Sequence, residues 1–348
     1  MKAGASSSFL LSKYEVFMFT EIVKQFFPNS IILDAALKHP ITPHGWPVYT
    51  PGPHSCRFNE PDFWLILNLQ DMLTASPGEI PSELARIHKF YESWADLNRI
   101  IVVTWPIGII AEWPNTSFHI IEFSTHQYET WAQYKKEEDT IREVFADEHK
   151  NLEFNFVCMN RIAKPHRKIA YNKLKLYKAG NCSLQSEGKT LAYSNLDFQK
   201  YEDQYSNLKN LLSLQKNFNT ALLSIITETQ YYEQFGIITE KTFNAIVAGH
   251  PFLVIGHQGI LQQIQQLGFK TYDNMFEEEY DIIDNNDRID ALIESNASYI
   301  KHKMRSMDMI SCAEYLRDRI DYNRNFFFDE FGPKQLECFK AQLLNVWH

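Results

Sequence analysis

The sequence predicts an α/β protein of two domains, and three observations carry that prediction. The chain has 348 residues, more than one core holds at roughly 150 residues per domain. Short apolar runs alternate with helix-period stretches along its first half and again along its second, the pattern of βαβ units on parallel sheets. Between the two series lies a charged tract, KKEEDTIREVFADEHK (residues 135–150), which reads as a solvated helix face at a change of domain. The expected domains are therefore residues 1–148 and 149–348, each Rossmann-like, facing one another across a cleft. Open parallel sheets take their ligands beyond the carboxyl ends of their strands, so that cleft is the expected site.

In the first series, residues 15–20 (EVFMFT) and 30–34 (SIILD) read as strands, with a short helix over 21–27 ended by Pro28. Residues 39–61 hold Pro40, Pro43, Gly45, Pro47, Pro51, Gly52, Pro53 and Pro61, too much punctuation for regular structure. The dense apolar run 62–69 (DFWLILNL) has the character of a strand covered on both faces. Residues 81–98 show helical spacing, 99–105 (RIIVVTW) and 118–123 (FHIIEF) read as strands, and 126–136 as a helix. In the second series, strands are expected at 154–159, 222–227, 251–255 and 270–272, and helices after Arg161, over 240–248 and over 259–267, with a largely helical remainder to Trp347.

Composition narrows the function classes. Hydrophobic residues at 45% and charged residues at 22% exclude a wholly disordered chain. A net charge of −9 argues against a dedicated nucleic-acid coat, because phosphate binding relies on cations. The five cysteines, Cys56, Cys158, Cys182, Cys312 and Cys338, are widely spaced with no C-x-x-C, so neither a disulfide framework nor a zinc ribbon is expected. No run of about 18 apolar residues occurs and the N-terminus lacks a signal-peptide pattern. The chain reads as soluble and cytoplasmic, with free thiols.

The chemistry concentrates in residues 224–256, SIITETQYYEQFGIITEKTFNAIVAGHPFLVIG. Thr239 is the expected N-cap of a helix, which places Glu240 and Lys241 in its first turn. Unpaired N–H groups there favour an anion, and Lys241 adds a full charge. Glu240 is suited to accept from a sugar diol. Read alone, Thr-Glu-Lys is ordinary helix-start chemistry; its surroundings give it more weight. Gly256-His257-Gln258-Gly259 follows a strand and opens a helix, where glycine allows close approach of a ligand to the backbone. His250, in the turn before Pro251, reads as structural.

This context resembles the carboxy-terminal half of the α-1,3-fucosyltransferase family and the similar glycosyltransferases predicted in phages and large viruses. The resemblance rests on Thr227-Glu228-Thr229, on Ile238-Thr239-Glu240-Lys241-Thr242-Phe243, on Ala248-Gly249-His250-Pro251-Phe252, on Gly256, and on the strand and Asn-Arg…His-Arg of FVCMNRIAKPHR (156–167). It implies a GT-B-like fold whose C-terminal domain binds a nucleotide diphosphate sugar as co-substrate, with the acceptor on the N-terminal side. By similarity, Glu240 binds the ribose, Lys241 a phosphate, and Arg161 or Arg167 forms a second phosphate clamp. Glu228, Thr239 and Gly256 complete the donor-binding set. The acceptor is a glycan or a hydroxymethylated DNA base. A non-catalytic nucleotide- or glycan-sensing module is the alternative.

Residues 161–178 hold Arg161, Lys164, Arg167, Lys168, Lys173, Lys175 and Lys178 without one acidic residue, which suits a diphosphate seat directly after a strand. A solvated basic helix face and a nucleic-acid groove are the other readings. No D-x-D occurs, so the leaving diphosphate is expected to be neutralised by Lys, Arg and helix dipoles, with no metal or other cofactor. An inverting transfer needs a base from the N-terminal domain. Asp71, just past an apolar strand, is the first candidate, with Glu122 and His126 at the end of another strand next and His44, His54 and Glu60 after them.

Overall fold

The computed structural model describes residues 22–26, 31–34, 65–68, 100–104, 119–147, 151–186, 189–192, 207–232 and 236–347. Contacts divide the chain into two compact units, residues 1–129 with 335–348, and residues 130–334. Both are α/β.

The first unit carries strands β1 (Ile31–Asp34), β2 (Leu65–Asn68), β3 (Ile100–Thr104) and β4 (His119–Glu122) in one parallel sheet of order β1-β2-β3-β4. All four lie inside expected apolar runs. Strands joined in sequential order and all parallel require a crossover after each one. Ile101, Val103 and Ile121 are buried with Phe123 against Phe339 and Leu343 of the last helix. Phe123 and Phe339 stack at 4.2 Å between centroids. The strand expected at 15–20, the helix at 81–98 and the proline-rich loop lie outside the described residues.

The second unit opens with α1 (Thr125–Lys136, which begins in the first unit) and α2 (Glu138–Val144). The charged tract does form solvated helix faces, but Tyr134, Ile141 and Phe145 enter the second unit's core. Their burial draws residues 130–147 into that unit, so the division falls at 129/130 where 148/149 was expected. A five-stranded sheet follows in order β7-β6-β5-β8-β9. Its strands are β5 (Phe154–Asn160), β6 (Gly180–Ser186), β7 (Lys189–Ala192), β8 (Ala221–Thr227) and β9 (Phe252–Ile255). Only the β6–β7 pair is antiparallel.

Two crossovers define this sheet. Helix α3 (Pro165–Leu174) joins β5 to β6, and, beyond α4 (Asn207–Ser213) and α5 (Gln215–Thr220), helix α6 (Glu240–Val247) joins β8 to β9. Right-handed crossovers running in opposite directions from the central β5–β8 pair place α3 and α6 on opposite faces. The point where the winding reverses is therefore the crevice past Asn160 and Thr227.

Helix α7 (Ile260–Gln266) follows β9, and α8 (Asn285–Ser295), α9 (Ala297–Ile300), α10 (Ser306–Tyr315), α11 (Arg317–Phe326) and α12 (Gly332–Trp347) complete the chain. A short π-helical turn over Phe327–Phe331 buries Phe327, Phe328 and Phe331. The strand expected at 270–272 does not form. Asn323 supplies the backbone partners a neighbouring strand would have given: its Oδ1 accepts from Lys270 N at 2.7 Å and its Nδ2 donates to Lys270 O at 2.8 Å. Among the described residues, no helix is long and apolar enough to cross a membrane.

Candidate functional site

The reversal point in the second unit gathers most of the residues singled out from the sequence. Thr227, the last residue of β8, donates its hydroxyl to Asn160 Oδ1 at the end of β5, tying the two strands together at the crevice. Beyond them run the Arg161–Lys164 turn into α3 and the Glu228–Tyr232 turn towards α6.

Thr239 caps α6 as expected, in extended conformation, accepting from Lys241 N at 3.5 Å. Glu228 organises that cap. It is fully buried, and its carboxylate accepts from Thr239 N (3.1 Å), Thr239 Oγ1 (2.6 Å), Thr242 Oγ1 (2.7 Å) and Thr229 N (3.3 Å). A carboxylate with four donors and no exposed surface holds the helix start in place and presents no face to a ligand.

Lys241 is 28% exposed; its Nζ donates to Thr239 Oγ1 (2.8 Å) and Thr229 Oγ1 (3.3 Å), and lies 3.2 Å from Glu240 Oε1 and 3.9 Å from Glu228 Oε2. Lys164 reaches the same turn, donating to Thr229 O at 2.9 Å. Glu240 and Lys241 thus pair at the rim, one acidic and one basic group side by side.

Arg167 enters the crevice from α3, whose first residue is Pro165, a position where a missing N–H costs nothing. It is buried and donates from Nη2 to Thr227 O and Glu228 O, both at 3.3 Å, and from Nη1 to Ile162 O at 3.4 Å. Its Nε–H has no partner. Burial holds its pKa below the usual guanidinium value, with Glu228 and Glu240 opposing that shift. A buried cation fastened only to carbonyls, with one donor spare, is suited to an anion.

The basic tract is thereby divided. Lys164 and Arg167 converge on the crevice, whereas Lys173 pairs with Asp290 and Lys175 lies over the Tyr171 ring at 5.0 Å. Arg161 is exposed on the turn after β5. Gly256 serves packing: a Cβ there would meet Ile260 Cδ1 at 2.4 Å, and its carbonyl accepts from Arg288 Nη1. His250 sits between Ser224 Oγ (2.8 Å) and Ala221 O (2.6 Å), inside the fold.

Two neighbours escaped the sequence reading, Tyr231 and Arg288, and a third, His166, entered it only as part of the His-Arg motif. His166 is buried, bonds Glu228 O through Nε2 at 2.9 Å and stacks on Tyr231 at 5.1 Å. Burial pushes its pKa down to about 4, so it is neutral at pH 7 and Nε2 carries the donated proton. Arg288 lies 5.3 Å from the centroid of Tyr231. Only the aromatic pair Tyr231-Tyr232 beside Thr227-Glu228-Thr229 hinted at this support.

Of the candidates for a base, Glu122 ends β4 and His126 lies in the first turn of α1, both in the first unit. Gln342 holds the Glu122 backbone on both sides, accepting from its N–H and donating to its carbonyl, each at 3.0 Å. Asp71, His44, His54 and Glu60 lie outside the described residues. Among the described residues, no cluster of His, Cys, Asp and Glu has the arrangement of a metal site.

No protein-family model matches the chain, and no curated protein does. Among solved structures, a variant of the wall teichoic acid polymerase TagF is similar at 10% identity over 76% of this chain and 70% of that one, with a TM-score of 0.22. A likeness that slight bears on neither fold nor activity, and the functional reading rests on the residues themselves.

Proposed function

We propose that the protein is a glycosyltransferase that moves a sugar from a nucleotide diphosphate sugar to an acceptor hydroxyl, by single displacement with inversion and with no metal required. One observation carries the reading. Two cations from opposite faces of one sheet, Arg167 at the start of α3 and Lys241 at the start of α6, meet at the carboxyl ends of β5 and β8. Helix N-termini and cations at a reversal point form a seat for a diphosphate.

In this reading Lys241 and the Arg167 Nε–H neutralise the diphosphate as it leaves, with Arg161 at the rim. Glu240 takes the ribose hydroxyls. Thr239 and Glu228 set the position of the helix start. Gly256 keeps α7 close to β9. The acceptor, a glycan or a modified DNA base, is taken by the first unit. A binding module without turnover would use the same seat, and only a rate separates the two.

The test is calorimetric titration of nucleoside diphosphates into the wild type and Lys241→Ala. Loss of one contact to a charged group corresponds to about 1.5–3 kcal/mol, so a ten- to hundredfold weaker Kd is expected. Lys241→Arg restores part of it, since a planar fork fits a point-charge seat poorly. Unchanged affinity in the alanine variant removes the proposal.

A further inference from the structure

At the other end of β5 from the crevice, two turns meet, and one buried side chain fastens both. Asn155, at the head of β5, is fully buried. Its backbone N–H donates to Ala179 O at 2.7 Å, which ties down the turn between α3 and β6. Its Nδ2 donates to Tyr299 O (2.8 Å) and His302 O (2.7 Å), and its Oδ1 accepts from Met304 N at 2.9 Å. These three bonds tie down the turn between α9 and α10. Ser306 Oγ donates to Leu152 O at 3.4 Å and holds the start of α10 at the same end of the sheet.

Both turns are basic, and each presents an exposed apolar side chain. The first carries Lys175, Leu176 and Lys178. The second carries Lys301, His302, Lys303 and Arg305, followed by Met307 in the first turn of α10. Lys301 pairs with Glu294 and Arg305 with Asp308. Lys175, Lys178 and Lys303 have no carboxylate at ion-pair distance among the described residues. Lys175 and Lys303 lie instead over the rings of Tyr171 (5.0 Å) and Phe154 (5.9 Å). The exposed carboxylate of Glu153 stands at the same end, and these cations outnumber it. Leu176 is 72% and Met307 71% exposed. A single apolar side chain on a surface is ordinary. Here two stand at one end of a sheet, on turns fastened by the same buried asparagine, each within two residues of a lysine or arginine.

We infer that this end of the second unit docks on a membrane surface carrying anionic phospholipids, with Leu176 and Met307 entering the boundary between headgroups and acyl chains. The complementarity is of charge and of polarity together. Lysine lays its stem along apolar surface and keeps its ammonium among the headgroup phosphates. Cations near an anionic leaflet and buried aliphatic tips each add to interfacial binding. A nucleic acid answers to the cations alone, because its bases stack on aromatic rings and neither exposed tip is aromatic. The crevice past Asn160 lies at the opposite end of β5, so the inference does not rest on the diphosphate reading.

The test is co-sedimentation of the full chain with large unilamellar vesicles, of phosphatidylcholine alone and of phosphatidylcholine mixed with phosphatidylglycerol. The wild type should bind the mixed vesicles, more weakly as salt rises, and leave the neutral ones in suspension without it. Lys178→Gln combined with Lys303→Gln removes two cations and should weaken binding about thirtyfold. Leu176→Ser combined with Met307→Ser removes the apolar tips and should weaken it about tenfold. All four side chains are exposed, so the variants keep the fold, which circular dichroism checks.

Failure of the wild type to bind the mixed vesicles overturns the inference, and so does equal binding to the neutral ones. Undiminished binding by either double variant overturns it as well, since the contact needs both the charges and the tips. Binding of duplex DNA without binding of vesicles assigns the basic turns to a nucleic acid in its place.

Discussion

Glu228 and Thr239 are joined twice: the buried carboxylate accepts from the Thr239 backbone N–H through Oε1 at 3.1 Å and from its hydroxyl through Oε2 at 2.6 Å. A side chain at the end of β8 thereby fixes where α6 begins, and so where Lys241 stands. One of the unpaired backbone N–H groups of the helix start is met by this carboxylate inside the protein, at the end of the helix where the dipole favours an acidic group.

Glu228→Ala should therefore cost stability before it costs chemistry. It leaves the hydroxyls of Thr239 and Thr242 and the N–H of Thr239 without their acceptor in a site closed to water. The expected loss is about 3 kcal/mol, the upper part of the range for hydrogen bonds to a charged group. Glu228→Gln should lose less, since one amide oxygen still accepts. Urea unfolding followed by circular dichroism measures both, and equal stability of all three proteins refutes the bracing role.

Much of this was legible in the sequence, for local reasons. Thr239 announced itself as a cap because it precedes Glu240-Lys241 and an apolar helical face, and caps are read from neighbours in the chain. The strands β5, β8 and β9 were legible as dense apolar runs. The role of Glu228 was not, because its partners Thr239 and Thr242 lie 11 and 14 residues away. Strand β6 (GNCSLQS) lacks strand composition and forms through pairing with β5. Residues 270–272 failed in the opposite sense, their backbone being taken by side chains: Asn323 at Lys270, Arg319 at the Thr271 carbonyl and Glu278 at the Tyr272 N–H. The return of Phe339 and Leu343 to the first unit is also a long-range fact that no window of sequence contains.

The pairing of β5 and β6 makes its own prediction. Phe156 and Gly180 are register partners, and a Cβ on Gly180 would lie 2.1 Å from the Phe156 ring, which is itself fully buried. Buried rings sit in a close-packed interior, so a retreat of this one displaces its neighbours. Gly180→Ala should therefore destabilise the protein by about 1–3 kcal/mol, the cost of overpacking a filled core. That outweighs the roughly 0.4–1 kcal/mol an alanine gains through the unfolded chain. A denaturation midpoint at or above that of the wild type would show that the ring moves freely.

Stability should also report Glu278, which burial raises from 4.5 to about 7. Its folded value is above its unfolded one, so its contribution is complete below pH 4.5 and is lost as the pH rises through 7. Glu278→Gln has no such loss. Relative to the wild type, the variant should gain about 3 kcal/mol between pH 4 and pH 8. His166 and His257 act in the opposite sense: burial lowers both from 6.5 to about 4, so their contribution is present above pH 6.5 and lost as the pH falls through 4. They are common to both proteins and cancel in the difference. A difference that stays flat with pH contradicts the raised value.

The last prediction separates an enzyme from a sensor. The proposed diphosphate seat lies wholly in the second unit, whereas Asp71, Glu122 and His126 belong to the first. A base that takes the acceptor's proton acts only as the new bond forms. Asp71→Asn, nearly isosteric, should then leave nucleotide affinity unchanged while turnover falls by about 10²–10⁴, the contribution of positioned acid–base catalysis. Glu122→Gln and His126→Gln are expected to bind equally well and are the next variants to assay if Asp71→Asn turns over normally. The Glu122 variant is favourable in this respect, because Gln342 contacts the Glu122 backbone, which the substitution leaves in place. Loss of nucleotide binding in Asp71→Asn would place that residue in the donor site instead. Intact binding in all three variants, with no measurable rate in the wild type towards glycan or hydroxymethylated DNA acceptors, would make the chain a nucleotide-binding module.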